Sequence, residues 1–518
     1  MLAKFKQRLH SRRSTAQKSA PVLSGIDFLP SEILGGEIFS LVVDEDILWH
    51  QTLLALASVC TQWRNIVHST PFLWNQPIRI NTLQLFSLGR FRRKRIAKKY
   101  FEALRMCLTR SAPLPVSIWV DSPTLIGDRK DFARTVDLIS DAAVRIEVLR
   151  ISSLHGDDGG VCILRVLERL PNGSLHALTE IDFRHLSSAA LHPTVSFSLM
   201  NAPNLRRVKL SAGPHPLNSI SIPWPQLTHL TLAAPPLACL AVLAKCSNLV
   251  SAVLHHVYTS FPDDTTPTSA TLVHLTSLRL TISSTLIQAI GNLVLPALTA
   301  LELIYDDADM IWPQLEVFRQ LPLHNIQYLM IDLDREEVLD SATLCTLLRC
   351  TPSVTELKLT DCVYINNAFL NALRADGPRS KLLLPHLELF SIEWGSVLGT
   401  YFFDLKTLQA MLASRAAVGL RRFVYRGDYS EEVPVLAAYH ADGLQVDVSV
   451  TIHILFLGLV MHPEARRNAQ QETSKYQRED YLEMGTLSPS YLFFVPDFLF
   501  HPALNKASSS SSTRCVRP

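Results

Sequence analysis

The strongest constraint on the fold of this sequence is a short apolar pattern that recurs eleven times between Ile146 and Tyr425. Each copy has the form apolar-x-x-apolar-x-apolar, and successive copies begin 22 to 33 residues apart. A unit of this length cannot bury its apolar face alone, so neighbouring copies must stack. The pattern therefore predicts a curved solenoid with parallel strands on its concave side and helices on its convex side. The eleven apolar triplets are Ile146/Leu149/Ile151, Leu178/Ile181/Phe183, Leu205/Val208/Leu210, Leu227/Leu230/Leu232, Leu249/Ala252/Leu254, Leu275/Leu278/Leu280, Leu298/Leu301/Leu303, Ile326/Leu329/Ile331, Val354/Leu357/Leu359, Leu387/Phe390/Ile392 and Leu420/Phe423/Tyr425.

Stretches with helical spacing separate several of these triplets. Their apolar residues recur every three or four positions, which places them on one face of a helix. Examples are Ile163-Leu164-Val166-Leu167-Leu170, Leu344-Leu347-Leu348 and Leu405-Leu408-Met411-Leu412. Alternating strands and helices predict an α/β fold class for this part of the chain.

A separate apolar-rich stretch, Ile26 to Trp74, precedes the repeats. Pro30 suits a first helical turn, and a second segment from Leu53 to Val67 forms one broad helical stripe. So small a unit is marginal on its own core. Spacing alone leaves two interpretations open: a helical cap that packs against the rest of the chain, or a docking surface for a partner helix.

The residues of this stretch resemble the F-box family. The matching positions are Leu29, Pro30, Glu32, Ile33 and Leu34, then Ile38 and Phe39, then Val59, Cys60, Trp63 and Arg64, and finally Pro71, Leu73 and Trp74. The resemblance implies a small all-α module that binds the Skp adaptor of a cullin-RING (SCF) ubiquitin ligase. The residues that would seat the adaptor, or support the helices that do, are Leu29, Pro30, Ile33, Leu34, Phe39, Val59, Cys60 and Trp63. The pair Gly35-Gly36 should weaken the first helix by about 1 kcal/mol per glycine relative to alanine.

The repeats resemble the leucine-rich-repeat family, whose motif is Leu-x-x-Leu-x-Leu-x-x-Asn/Cys. Only the copy from Val354 to Cys362 completes the motif, and the repeat lengths vary. An F-box followed by irregular leucine-rich repeats is similar to the layout of many fungal F-box proteins. Leu108-Thr109-Arg110-Ser111 and Leu412-Ala413-Ser414-Arg415 also resemble that group.

Five segments follow from these patterns: a basic arm (1–24), the F-box (25–80), a helical linker with a short strand (81–125), the solenoid (126–450) and a tail (451–518). The arm carries six Lys or Arg and no acid. It could mimic a mitochondrial presequence or a nuclear signal, but a disordered arm is favoured.

The basic run Arg90 to Lys99 has two interpretations: a nuclear localisation patch or, as we favour, the solvated start of a helix. The tail is expected to be largely disordered.

The net charge and the cysteine content limit the kinds of partner and of stabilising cross-link that we expect. The net charge is only +2 over 518 residues, so no general attraction to nucleic acid or to a membrane is expected. The nine cysteines are scattered, odd in number and without a Cys-x-x-Cys pair, which argues against a disulfide framework or a zinc ribbon. This usage fits the reducing environment of the cytoplasm, the nucleus or both.

In each repeat, the residues between the apolar anchors of the strand point to the concave face. Their charges are mixed, which suggests a protein target; the alternative is a solvated strand face without a dedicated ligand. The residues predicted to contact a target are Arg206, Arg207, Lys209, His229, Arg279, Tyr328, Lys358 and Arg421.

No metal site, cofactor or catalytic motif is expected. Two acidic clusters, at 306–309 and 332–337, could hold a divalent cation, but such loops are usually just solvated. The sequence therefore favours a non-catalytic substrate-recognition subunit of an SCF ligase, which contacts the Skp adaptor and through it a cullin, with an unknown protein target. The alternative is a leucine-rich-repeat scaffold outside the ligase, with a vestigial or repurposed F-box.

Overall fold

A computed structural model describes sixteen segments of the chain. They are 30–39, 49–81, 90–121, 129–152, 170, 173–183, 197–211, 220–256, 269–281, 284–305, 323–333, 341–360, 365–376, 382–393, 403–427 and 443–450. The chain divides into two units, Met1–Thr451 and Ile452–Pro518, and every described residue belongs to the first. The predicted basic arm and tail lie outside the described residues, as do Leu29, Cys362 and most of the predicted helix from Ile163 to Leu170.

Short helices make up the first module. A π-helical segment, Ile33–Ile38, is followed by α1 (Trp49–Ala57), α2 (Thr61–Ser69) and a 3₁₀ turn at Pro71–Trp74. Cys60 caps α2, because its Sγ accepts a hydrogen bond from the Trp63 N–H at 3.4 Å. Pro71 sits in the first turn of the 3₁₀ segment, where its missing N–H costs nothing.

Eighteen strands follow in the described part of the chain. They are β1 (Ile78–Asn81), β2 (Val116–Asp121), β3 (Ile146–Ser152), β4 (Glu180–Phe183), β5 (Phe197–Ser198), β6 (Arg207–Ser211), β7 (Ile220–Ser221), β8 (His229–Ala234), β9 (Ser251–His256), β10 (Ala270–Thr271), β11 (Ser277–Thr281), β12 (Leu293–Val294), β13 (Ala300–Tyr305), β14 (Tyr328–Leu333), β15 (Glu356–Thr360), β16 (Leu389–Glu393), β17 (Arg422–Gly427) and β18 (Gln445–Val450). Fourteen of them form one parallel sheet in the order β1-β2-β3-β4-β6-β8-β9-β11-β13-β14-β15-β16-β17-β18. The other four form two-stranded ribbons, β5 with β7 and β10 with β12.

The register of this sheet stacks equivalent anchors of successive repeats. Leu278, Leu301 and Leu329 are direct neighbours across β11, β13 and β14, and the next anchor of each strand stacks in the same way. No anchor of the eleven predicted triplets is more than 3% exposed. The predicted solenoid of parallel strands is confirmed.

Two strands extend this sheet beyond the repeats that the pattern identified at its N-terminal end. β1 and β2 pair in parallel, with Ile78 beside Ile118, and β2 pairs with β3. Asn75 lies three positions before the buried Ile78 of β1. In β2 the buried Val116, which pairs with Ile146, lies only two positions before Ile118, because Pro115 occupies the third position. The six-position pattern is therefore incomplete there, although the strands bury their alternate residues in the same way.

Helices cover the buried face of the sheet. They are α3 (Arg90–Arg110), α4 (Arg129–Ala142), α5 (Pro236–Leu243), α6 (Ser284–Ile290), α7 (Ser341–Arg349), α8 (Asn367–Leu373) and α9 (Leu405–Ala416), with 3₁₀ turns at Ala143–Arg145, Trp224–Gln226 and Leu323–Asn325. The buried leucines of α7 and α9 join the same core as the strand anchors. Within the described residues, no helix is long and apolar enough to cross a membrane.

A row of threonines links successive repeats at the start of the strands. Each hydroxyl donates to a main-chain carbonyl of the preceding repeat over 3.2 to 3.3 Å. The row consists of Thr179, Thr228, Thr276, Thr299 and Thr355. The same carbonyls also accept main-chain N–H groups of the following repeat, so each hydroxyl reinforces a link that the backbone already makes.

Arg415 closes the C-terminal part of the core. Its buried guanidinium donates to the main-chain carbonyls of Leu373, Leu383 and Leu384, the last at 2.9 Å. Burial lowers the pKa of Arg415 to about 10, so the side chain stays charged at neutral pH. One side chain thus ties α9 to the end of α8 and to the turn at Leu384, whose φ is +54°.

Trp74 joins the helical module to the solenoid. Its ring is fully buried, and its Nε1–H donates to the Val67 carbonyl of α2 at 2.6 Å. Trp49 of α1 contacts the ring edge-on at 6.3 Å, and the Arg110 guanidinium at the end of α3 lies 4.5 Å above it. The module and the repeats consequently share one continuous core.

Replacing Trp74 should therefore destabilise the whole joint. Trp74→Phe removes the only side-chain donor to the buried Val67 carbonyl among the described contacts, and should lower the free energy of unfolding by about 1–3 kcal/mol. Trp74→Ala should cost about 3–5 kcal/mol because it leaves a cavity. Urea unfolding followed by circular dichroism measures both. Trp119→Phe, which changes a half-buried ring on the sheet, is the control; a larger loss in the control than in Trp74→Phe would contradict the role of Trp74.

Candidate functional site

The first candidate surface is the helical module, where burial divides the predicted adaptor-binding residues into two groups. Leu34 and Phe39 are fully buried, and the Phe39 ring contacts the half-buried Trp63 ring edge-on at 5.0 Å. These two residues are placed to hold the helices together, the supporting role that the prediction allowed. A partner cannot reach them while the module is folded.

The second group faces outward. Ile33 is 44% exposed and Val59 is 45% exposed, although both are aliphatic. Pro30 is also exposed, while Cys60 is partly covered by its capping role. Leu29 lies outside the described residues.

Sequence reasoning missed two further members of this exposed group. Leu54 of α1 is 46% exposed and Phe72 of the 3₁₀ turn is 56% exposed. Among the described residues, nine large hydrophobic side chains are strongly exposed, and four of them lie between residues 33 and 72. Such a concentration of apolar surface in one small module is typical of an interaction site.

Gly35 explains why the first helical segment tolerates a glycine pair. A Cβ at Gly35 would lie 3.1 Å from Ile66 Cγ2 and 3.2 Å from Thr70 Oγ1, whereas a Cβ at Gly36 would meet nothing within 4 Å. The missing side chain at Gly35 therefore lets the segment pack closely against α2. Only Gly36 carries the helix penalty without a packing benefit.

The second candidate surface is the face of the main sheet opposite the buried anchors, called here the outer face. Parallel register aligns its side chains in rows that cross the strands. Arg207 and His229 are neighbours in one row, which Tyr328 joins farther along, and Lys209, Arg279 and Lys358 lie in the next row. Arg206 and Arg421 immediately precede β6 and β17. The structure thus brings the predicted residues onto one surface but spreads them along the sheet.

Acidic residues on neighbouring strands pair with most of these predicted cations. Lys209 and Arg207 both contact Glu180, at 2.7 and 3.7 Å. The other pairs are Arg279 with Glu302 at 2.5 Å, Lys358 with Glu393 at 2.7 Å and Arg421 with Glu388 at 3.3 Å. Arg206 instead donates to the main-chain carbonyls of Pro203 and Leu205. The cations are therefore already engaged with the protein itself.

Two uncharged residues of the outer face have shifted pKa values. Burial and the neighbouring Arg207 lower the pKa of His229, so its imidazole is neutral at pH 7. Burial, followed by Glu302 and Glu356, raises the pKa of Tyr328 to about 12. Both side chains are therefore neutral hydrogen-bonding groups at pH 7.

The N-terminal end of the outer face was also missed from the sequence. There Trp119 of β2 lies between Arg79 of β1 and Arg150 of β3, whose guanidinium carbons are 4.6 and 5.3 Å from the ring. Asp182 of β4 contacts Arg150 at 3.5 Å. The only signal in the sequence was the alternation around Trp119, because the neighbours come from distant segments.

The acidic clusters and the cysteines are the remaining candidates for metal or thiol chemistry. Among the residues that the structure describes, no group of three His, Cys, Asp or Glu side chains could hold a metal ion. The acidic cluster at 306–309 and all of 334–337 lie outside the described residues. Burial raises the pKa of the Cys107 and Cys246 thiols to about 12, so both are protonated at neutral pH.

Comparison with known proteins identifies the helical module. The family model described as F-box-like matches residues 26–79. This segment is an F-box-like domain. It is followed by a parallel, leucine-anchored sheet, so the chain combines an F-box-like domain with a solenoid of leucine-rich-repeat architecture.

Other comparisons were more distant. No curated protein sequence matches the chain. Similar solved structures include TLR13 in a TLR13–ssRNA13 complex (14% identity, TM-score 0.33, covering 66% of this chain and 46% of that chain). The leucine-rich-repeat-containing protein LegL7 from Legionella pneumophila has 15% identity and a TM-score of 0.29, covering 61% of this chain and 95% of that one. A protein from Bacteroides fragilis has 13% identity and a TM-score of 0.28, covering 70% and 83%. The chain thus spans less than half the length of the TLR13 chain.

The two glycines of the F-box-like domain provide a matched test of its packing. Gly36→Ala should raise the free energy of unfolding by about 0.5–1 kcal/mol, because alanine favours the helix and the new methyl group meets open space. Gly35→Ala should be the less stable variant, since its methyl group must push Ile66 and Thr70 away. Thermal unfolding of both full-length variants measures the difference. A Gly35→Ala protein as stable as Gly36→Ala would show that the close approach to α2 is unimportant.

Proposed function

We propose that this chain is the substrate-recognition subunit of an SCF-type cullin-RING ubiquitin ligase. Its F-box-like domain binds the Skp adaptor, and its repeats bind the protein to be ubiquitinated. The observation that carries the proposal is the exposed apolar group of the F-box-like domain, made up of Pro30, Ile33, Leu54, Val59 and Phe72. F-box domains generally bind Skp adaptors, and apolar side chains at this exposure are suited to a helical partner.

The core shared by the F-box-like domain and the solenoid supports the proposal that one binds the adaptor while the other binds the target. An adaptor subunit must hold its target in a defined position relative to the ligase, because catalysis by proximity depends on orientation. Trp74 and Arg110 fix the F-box-like domain against the first helix of the solenoid. A target held by the repeats would therefore be carried rigidly with the adaptor.

The chain itself has no catalytic step in this proposal. Ubiquitin transfer belongs to the other subunits, and no cofactor is required. The proposed location is the cytoplasm, the nucleus or both. The competing role, a scaffold whose F-box-like domain serves another partner, predicts the same fold but no adaptor binding.

The proposal is tested with the purified full-length chain and a purified Skp adaptor. Val59→Glu should leave the fold intact, because Val59 is 45% exposed, and should weaken adaptor binding at least tenfold by placing a charge in an apolar contact. Isothermal titration calorimetry measures the dissociation constant, and circular dichroism checks the fold.

The matched control is Val273→Glu. Val273 is 50% exposed but lies in the solenoid, so its variant should bind the adaptor like the wild type. Failure of the wild-type chain to bind the adaptor would favour the scaffold role. Equal binding by the wild type and Val59→Glu would place the adaptor site elsewhere.

A further inference from the structure

One arginine within the strands of the outer face lacks the acidic partner that the other strand cations have. Among the described residues, seven strand cations of this face lie within 4 Å of a carboxylate on a neighbouring strand. They are Arg150, Arg207, Lys209, Arg279, Lys358, Arg422 and Arg426. Arg79 is the exception in the described structure, because its guanidinium contacts only the Trp119 ring.

Trp119 holds this guanidinium in place. The ring is flanked by Arg79 at 4.6 Å and by Arg150 at 5.3 Å, and the three residues are direct neighbours across β1, β2 and β3. A guanidinium stacked on an aromatic face keeps its N–H groups free at the edge, where they can donate to a planar anion. Because the stack fixes the side chain beforehand, binding costs less conformational entropy.

The charge balance at this end favours an anionic ligand. From β1 to β6, the outer-face positions hold five cations (Arg79, Arg150, Arg206, Arg207, Lys209) against the three acids Glu147, Glu180 and Asp182. The N-terminal end of the outer face is therefore positive, within a chain that is nearly neutral.

The backbone of β1 offers no alternative attachment at this position. The Tyr100 hydroxyl of α3 accepts a hydrogen bond from the Asn81 N–H at 2.9 Å and donates to the Arg79 carbonyl at 2.8 Å. Two groups at the free edge of β1 are thus occupied, which disfavours the addition of a strand at this position. The side chains of the outer face are better placed for recognition here.

We propose that Arg79, stacked on Trp119, binds the carboxylate of an Asp or Glu side chain in the target protein. The inference rests on the proposed role of the outer face as the target surface. A carboxylate is the group that the other seven strand cations contact, and its single charge matches the single unpaired guanidinium. A phosphate, with up to two charges, is better matched by two cations side by side, and the cation beside the Trp119 stack, Arg150, is already engaged with Asp182.

Arrays of degenerate peptide pools test the ligand class with the full-length chain. In each pool the central residue is fixed as Glu, Asp, Gln or phosphoserine, and acids are omitted elsewhere. The wild-type chain should prefer the Glu and Asp pools to the Gln pool about tenfold. Arg79→Gln should abolish this preference, and Arg79→Lys should retain only part of it, because lysine keeps the charge but loses the planar stack.

Arg422→Gln is the matched control, since Arg422 is a half-exposed cation already paired with Asp447 at 2.6 Å; it should keep the preference. No preference for Glu over Gln, an equal loss in Arg422→Gln, or selection of phosphoserine alone would overturn the proposal. Adaptor binding by the same proteins separates the two ideas. If the wild-type chain binds the adaptor but does not prefer the Glu and Asp pools, only the carboxylate site is overturned. If the wild-type chain does not bind the adaptor, the ligase role is overturned.

Discussion

The structure depends on one constraint: each repeat buries its apolar face only against its neighbours. A single Leu-x-x-Leu-x-Leu unit has no core of its own, and each fully buried leucine contributes about 1.5–3 kcal/mol only when the next repeat covers it. Stacking in register, such as Leu278 beside Leu301 and Leu329, supplies that cover along fourteen strands. The loops between strands can therefore vary in length, provided that the anchors return to the same register.

Where the regular stacking of repeats ends, polar and aromatic side chains bond to main-chain groups that no further repeat covers. At the N-terminal end, Tyr100 occupies edge groups of β1, and Trp74 connects the sheet to the F-box-like domain. Near the other end, Arg415 spans three main-chain carbonyls that no strand partner reaches. Where the regular stacking ends, these side chains hold neighbouring segments together by hydrogen bonds to main-chain groups. Such bonds are needed because buried polar groups require partners.

On the outer face, charged side chains of neighbouring strands pair with one another. Its ion pairs cross from strand to strand, and most of them lie partly exposed, where such a pair contributes at most about 1 kcal/mol. Their main effect is to neutralise the face, which leaves few side chains able to attract a ligand by charge. Against this background, Arg79 on Trp119 is distinctive because its charge is not balanced by a neighbouring strand. A surface for selective recognition is better served by one such position than by a general excess of charge.

Local spacing in the sequence was sufficient to predict the solenoid and its helical module. Whether a residue faces the core depends on its own strand or helix, so the eleven anchor triplets and the F-box motif could be read directly. The spacing could not show that Leu34 is buried while Ile33 is exposed, since that depends on how the module packs against the 3₁₀ turn and α2.

Nor could the sequence reveal that the sheet begins at Ile78, or which cation lacks an acid. Lateral neighbours on a parallel sheet come from segments 22 or more residues apart, joined by loops of irregular length. Only the tertiary structure sets that register, and with it the partner of every charged side chain on the outer face. The sequence determined which residues form the core, and the tertiary structure decided which surface residues remain available to a partner.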